Sequence, residues 1–239
     1  HLSFIKVANK KIKMKIFFYF LFALFILSNS NGYAQNNYPN TNKKGWKSLF
    51  GKNLETAQFD PAIWKDSSGV LTASKDSAIW SKDMYDDFIL DLDFQNADGT
   101  NSGVIVHATD IIEWIPHSVE IQIADDYSPR WGKAVASWQC GAIFGHKPAT
   151  NKSLKRPGEW NHFTITCIGK NIKIELNGTL VNECNMDDFT SSKINPDGTK
   201  VPSWLYNPMS TLGLHGYIGL QGKHAGAHIY FKNIMIKTL

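Results

Sequence analysis

Ile172, Ile174 and Leu176 recur at every second position and run into Asn177-Gly178, after which Leu180-Val181 restores the apolar pattern. A strand turns alternate side chains to opposite faces, and Asn-Gly supplies the two positive-φ residues of a tight hairpin turn. The rest of the chain repeats this unit in weaker form. Residues 69–72 read as a turn entering a strand, and residues 88–94 alternate over their latter half. Residues 98–103 read as a loop and residues 104–107 as the next strand. In residues 118–124, Val119, Ile121 and Ile123 share one face while Glu120 and Gln122 share the other. Residues 160–168 set Phe163, Ile165 and Cys167 against Trp160, His162, Thr164 and Thr166, and residues 216–221 and 229–236 supply two further strands. Residues 185–211, with Pro196, Pro202 and Pro208, read as an extended loop, and no long stretch has helical periodicity. The pattern predicts an all-β, two-sheet jelly-roll sandwich over residues 45–239 as a single domain.

The N-terminal part follows different rules. Met14 and Lys15 precede an apolar run from Ile16 to Leu27, followed by small and polar residues up to Ala34. A basic start, a short apolar core and a small-residue exit describe a secretory signal peptide cleaved after Ala34, with residues 1–13 upstream of its start. The run is short for a permanent membrane span, so none is expected after cleavage. The expected location is periplasmic or secreted, with residues 35–44 forming a polar, Asn-rich connector. Of 25 Lys and Arg residues, five lysines lie before Ala34, which leaves 20 basic against 21 acidic residues. A near-neutral domain lacks the basic footprint that nucleic-acid phosphates require. Cys140, Cys167 and Cys184 are an odd number, so they cannot all pair within the chain; buried thiols or a single bridge both fit.

Eight tryptophans stand beyond the leader. Most have work in a core, but Trp114, Trp131 and Trp138 sit in loop-like surroundings where an aromatic face could meet a sugar ring. Glu120 and Gln122 lie side by side on a strand face opposite its apolar set, with Asp125 at the strand end and Arg130 in the aromatic loop that follows. An ordinary solvated face is the competing account. His107 closes an otherwise apolar strand and reads either as a structural histidine or as a site residue. Residues 221–228 interleave Gln221, Lys223 and His224 with glycine, which suits close approach to a ligand or simply an exposed turn.

An ordered series of blocks resembles a known family. These are Gly45-Trp46-Lys47-Ser48-Leu49-Phe50-Gly51, Asn101-Ser102-Gly103-Val104, Val119-Glu120-Ile121-Gln122-Ile123-Ala124-Asp125, Gly141-Ala142-Ile143-Phe144-Gly145 and Gly158-Glu159-Trp160-Asn161. Leu176-Asn177-Gly178, Gly216-Tyr217-Ile218-Gly219-Leu220-Gln221 and Phe231-Lys232-Asn233-Ile234 complete it. Together they resemble the 3-keto-disaccharide hydrolase family over roughly residues 45–239. Two departures stand out: Gly222-Lys223 separates Gln221 from His224 where the family usually has an aspartate, and Cys140 replaces a small hydroxyl residue.

The resemblance implies a concanavalin-A-like lectin/glucanase fold acting on glycosides oxidised at C3. It places Glu120, Gln122 and Asp125 on the central polar strand, and Gln221 and His224 in the closing loop. A ketone at C3 acidifies the C2 proton, so elimination and hydration can cleave the glycosidic bond without an oxocarbenium route. That chemistry needs a base, an oxyanion partner and an acid. Glu120 or His107 is the candidate base; Lys223 and His224 are candidates for the other two roles. Gln122, Asp125, Arg130, Trp131, Trp138 and Gln221 are the candidate sugar-binding residues. The expected partner is an oxidised disaccharide or glycoside. No organic cofactor is expected; a divalent cation and the oligomeric state are left open. The competing reading is a carbohydrate-binding, lectin-like module without chemistry. Ordinary β-glucan hydrolysis ranks lower, because the stretch around Glu120 lacks the second glutamate it would need.

Overall fold

The computed structural model describes residue 39 and residues 41–239, so the expected signal peptide, its cleavage point and part of the connector lie outside the described residues. Among the described residues, no helix is long and apolar enough to cross a membrane. Their strands are β1 (Trp46–Ser48), β2 (Ala57–Gln58), β3 (Trp64–Ser67), β4 (Val70–Ala73), β5 (Ala78–Tyr85), β6 (Phe88–Asn96) and β7 (Asn101–Ala108). β8 (Val119–Ala124), β9 (Trp160–Ile168), β10 (Asn171–Leu176), β11 (Thr179–Asn185), β12 (Gly216–Gln221) and β13 (Ile229–Thr238) follow, joined by loops and short 3-10 turns.

The larger sheet runs β11-β10-β9-β6-β13-β4-β3, with β1 also paired to β13; the smaller runs β2-β5-β12-β7-β8. Their inner faces enclose one core. Phe94 stacks on Phe163 with ring centroids 4.8 Å apart, and Val119, Ile121 and Ile123 of β8 point inward as their alternation predicts. Each such side chain contributes roughly 1.5–3 kcal/mol when fully removed from water. The three cysteines are free and buried, with burial pushing the Cys184 thiol up to about 12.

Three readings change. Residues 101–103 belong to β7 rather than to a loop. β5 had no counterpart in the sequence reading. The third change concerns His107. Asn101, Gly103 and Ile105 share the outer face of the small sheet, and strict alternation would put His107 there too. However, Tyr217 pairs with Ala108 while Gly219 pairs with Ile105, so β7 carries one extra residue between them. His107 occupies this bulge with φ of 56° and packs inward against Phe88. Its Nδ1 lies 2.6 Å from the Leu214 carbonyl oxygen, and burial holds its pKa below the usual histidine range despite that hydrogen bond.

On the outer face of the large sheet, β6 and β9 place Asp93 opposite His162 and Asp91 opposite Thr164. His162 bonds Asp93 through Nδ1 at 2.7 Å and Asp91 through Nε2 at 2.9 Å. Burial alone would lower the imidazole pKa, but the two carboxylates outweigh it and hold the ring protonated up to about pH 9. Because the folded value lies above the unfolded one, this stabilisation is complete below about pH 6.5 and disappears as pH rises through 9. Thermal unfolding should therefore show a loss on the order of 1–3 kcal/mol between pH 7 and 10. The His162→Gln protein should lack that component of the pH dependence.

Candidate functional site

The outer face of the small sheet is not solvated throughout. Ile105, Trp80 and Ala108 form a second, smaller apolar cluster there, with Trp114 and Tyr217 packed against it. Trp80 meets Trp114 edge-on at 6.2 Å, and a side chain at Gly219 would run into the Trp80 ring. Beside this cluster, β7 and β8 bring Gly103 opposite Gln122 and Ile105 opposite Glu120. A cleft of about 510 Å³ opens over them. Glu120, Gln122, Asn101, Gln221 and His224 provide its polar surface, and Trp114, Trp131, Trp138, Phe144 and Trp204 its aromatic walls.

Gly103 determines how deep the central carboxyl can sit. A methyl group built on Gly103 would overlap the Glu120 side chain, so the carboxyl lies directly against bare backbone. Desolvation, with a smaller push from the Asp76 charge, raises the Glu120 pKa to about 8. The residue keeps a narrow window to solvent through the cleft mouth while protein surrounds its carboxyl on the other sides. Its backbone is fixed from the far side of β8, because Phe144 N–H donates to the Glu120 carbonyl at 2.9 Å. Gln122 N–H donates to the Ala142 carbonyl and Gly141 N–H to the Gln122 carbonyl, so residues 141–144 also cover the strand edge.

His224 enters from the loop after β12. Its Nδ1 is 2.6 Å from Asp76 Oδ2, which fixes the ring and leaves Nε2 as the other functional nitrogen. Gln122 Nε2 donates to Asn101 Oδ1 at 2.7 Å, a pair that orders two amides at the cleft floor. Gln221 Oε1 is enclosed and has no donor among the described residues, so it is an acceptor suited to a hydroxyl brought by a ligand. Trp131 donates its Nε1–H to the Gly99 carbonyl at 2.9 Å, and Arg130 stacks on its ring at 4.4 Å.

Eight candidate residues thus converge: Trp114, Glu120, Gln122, Arg130, Trp131, Trp138, Gln221 and His224. Three do not. His107 faces the interior for the reason given above. The Asp125 carboxylate accepts the backbone N–H groups of Gly99 and Tyr127 and is a buried turn residue outside the cleft lining. Lys223 bonds the Lys75 carbonyl through its backbone N–H and is not among the lining residues. Asp76, Asn101 and Trp204 were missed. A β7 strand in place of the loop would have aligned Asn101 with the polar face, but nothing local ties Asp76 to His224, 148 residues away. Among the described residues, no three His, Cys, Asp or Glu side chains gather as a metal-ligand set.

Two other hollows, of about 680 and 580 Å³, lie elsewhere on the domain. Neither combines a desolvated carboxyl with an oriented imidazole. The 3-keto-alpha-glucoside-1,2-lyase-like domain family matches residues 45–237. The chain belongs to that family. A candidate glycosyl hydrolase from Parabacteroides distasonis is 52% identical, with a TM-score of 0.80 over 81% of this chain and 99% of that one. Another from the same organism shares 21% identity at a TM-score of 0.62, covering 82% of this chain and 84% of that one. A Bacillus subtilis protein of unknown function with a galectin-like fold shares the architecture at 11% identity and a TM-score of 0.51, over 81% of this chain and 94% of that one. No curated protein matches. The family and its relatives support a glycoside-hydrolase-like enzyme on a jelly-roll scaffold.

The Gly103→Ala protein should fold, since the added methyl points into the cleft rather than the core. Its Glu120 carboxyl must move, so turnover of a glycoside substrate should fall by roughly ten- to a hundredfold. A crystal structure of the variant would show the displaced side chain.

Proposed function

We propose that the cleft cleaves the glycosidic bond of 3-keto-glycosides by elimination across C1 and C2 followed by hydration. The observation that carries this reading is the Glu120 carboxyl, which has no hydrogen-bond donor among the described residues and a pKa of about 8, in a cleft that also holds the Asp76-oriented His224. An ordinary carboxylate is too weak a base for a carbon acid, and desolvation strengthens it. Glu120 takes the proton from C2, and the electron pair passes to the C3 oxygen as an enolate. Arg130, the permanent cation among the lining residues, is assigned the enolate oxygen. Collapse of the enolate forms the C1–C2 double bond and breaks the C1–O bond. His224 gives its Nε2 proton to the departing oxygen. Water then adds, hydroxyl to C1 and proton to C2, releasing 3-keto-glucose.

Gln221 Oε1 and the Gln122–Asn101 amides are available to the sugar hydroxyls, while the tryptophans cover the apolar ring faces. The leader read in residues 14–34 is consistent with action outside the cytoplasm on sugars already oxidised at C3.

Purified protein should release 3-keto-glucose from a 3-keto-disaccharide and leave the unoxidised disaccharide intact. Binding of both sugars without turnover of either would replace this reading with a lectin-like one. Glu120→Gln should reduce turnover by about 10²–10⁴-fold. Because Glu120 acts ionised and His224 protonated, kcat/KM should be bell-shaped in pH, with one limb set by the Glu120 carboxyl near 8. A bell whose two limbs both persist in Glu120→Gln would remove Glu120 from the proton transfers.

A further inference from the structure

The cleft does not end at its aromatic wall. Trp114, Ile115 and Trp204 line both it and an adjoining groove of about 260 Å³, which Ile112, Glu113, Pro116 and Tyr206 complete. Ile112 is 92% exposed, and Ile115, Trp204 and Tyr206 are between a third and a half exposed. Contiguous exposed apolar side chains beside a cleft are a feature of ligand-binding grooves.

The polar groups around this groove already serve one another. Tyr206 O–H donates to Glu113 Oε1 at 2.9 Å, and Asn207 Nδ2 donates to the Pro116 carbonyl at 3.0 Å. His117 Nδ1 lies 2.8 Å from the Glu113 carbonyl, and its ring meets Tyr206 edge-on. These contacts tie residues 204–207 to residues 113–117, so the groove is preformed. They also leave few donors or acceptors for a second sugar, whose hydroxyls would lose water without finding partners. A flat apolar group loses nothing by the same transfer and gains the faces of two indoles and a phenol.

We infer that this groove is the aglycone subsite and that it selects glycosides carrying an aromatic or similarly flat apolar aglycone over disaccharides. The inference rests on the reading that the sugar ring reacts at Glu120. With the ring over Gly103, the departing group extends past Trp114 into the groove that shares this wall.

The test compares 3-keto benzyl glucoside, 3-keto methyl glucoside and a 3-keto-disaccharide. Benzyl alcohol and methanol have similar acidity, so a difference between their glycosides reports binding rather than leaving-group ability. The benzyl compound should exceed both others in kcat/KM by roughly tenfold or more. The double substitution Ile112→Asn, Tyr206→Ala should bring the benzyl-to-methyl ratio towards one, mainly through KM. Equal kcat/KM for the three substrates, or a ratio the double variant does not change, would overturn the inference. Titration of unoxidised benzyl and methyl glucosides by calorimetry tests the groove without turnover. Tighter binding of the benzyl compound, lost in the double variant, would uphold the subsite even if no 3-keto substrate reacted and the proposed chemistry failed. Equal binding of both would reject it.

Discussion

Period-two alternation gives the five-stranded sheet two interiors to serve. β8 turns Val119, Ile121 and Ile123 into the core and Glu120 and Gln122 into the cleft, so the same strand carries both stability and the candidate chemistry. A slip of one residue would exchange the two sets and destroy both. The register is held on both sides of the strand: β7 pairs with one edge, and residues 141–144 hydrogen-bond to the other. The cleft therefore stands on backbone fixed by ladder bonds.

Glu120 shows what such a position costs the fold. Its ionised form is disfavoured by burial, and no donor among the described residues compensates. The protonated native state is favoured, so folding stability declines as pH rises from about 4.5 towards 8. His162 has the opposite arrangement on the large sheet, where two carboxylates support the charged form. One ionisable group is left in tension and another is fully supported, and the difference follows from what faces each across the strands.

Much of this was legible in the sequence. The β8 alternation and the β10–β11 hairpin are readable because one face is apolar and the other polar, and the ordered family blocks indicated the jelly roll. β5 was hidden because both of its faces are buried in its first half: Ile79 in the main core and Trp80 in the outer cluster. A further irregularity follows, where Gly219 pairs with Trp80 but Tyr217 pairs with Met84. Asn101, Ser102 and Gly103 resemble a loop in composition, yet each has a strand role. Asn101 orders Gln122, Ser102 bonds the Gln221 carbonyl, and Gly103 leaves room for Glu120. His107 could not be placed, because a single extra residue in β7 reverses its face and no local pattern announces a bulge.

Two close indole pairs stand at the cleft, Trp114 with Trp80 behind it at 6.2 Å and Trp138 with Trp204 at 6.0 Å. Indoles this near, and tilted rather than parallel, couple their excited states. The domain should therefore carry an exciton signature in its ultraviolet circular dichroism, separate from the signal of its strands. One member of the second pair stands on the loop of residues 185–211, so the intensity of that signature reports whether the loop is seated. The walls of the cleft thus contain their own optical gauge of how the aromatic wall is packed, readable without a label.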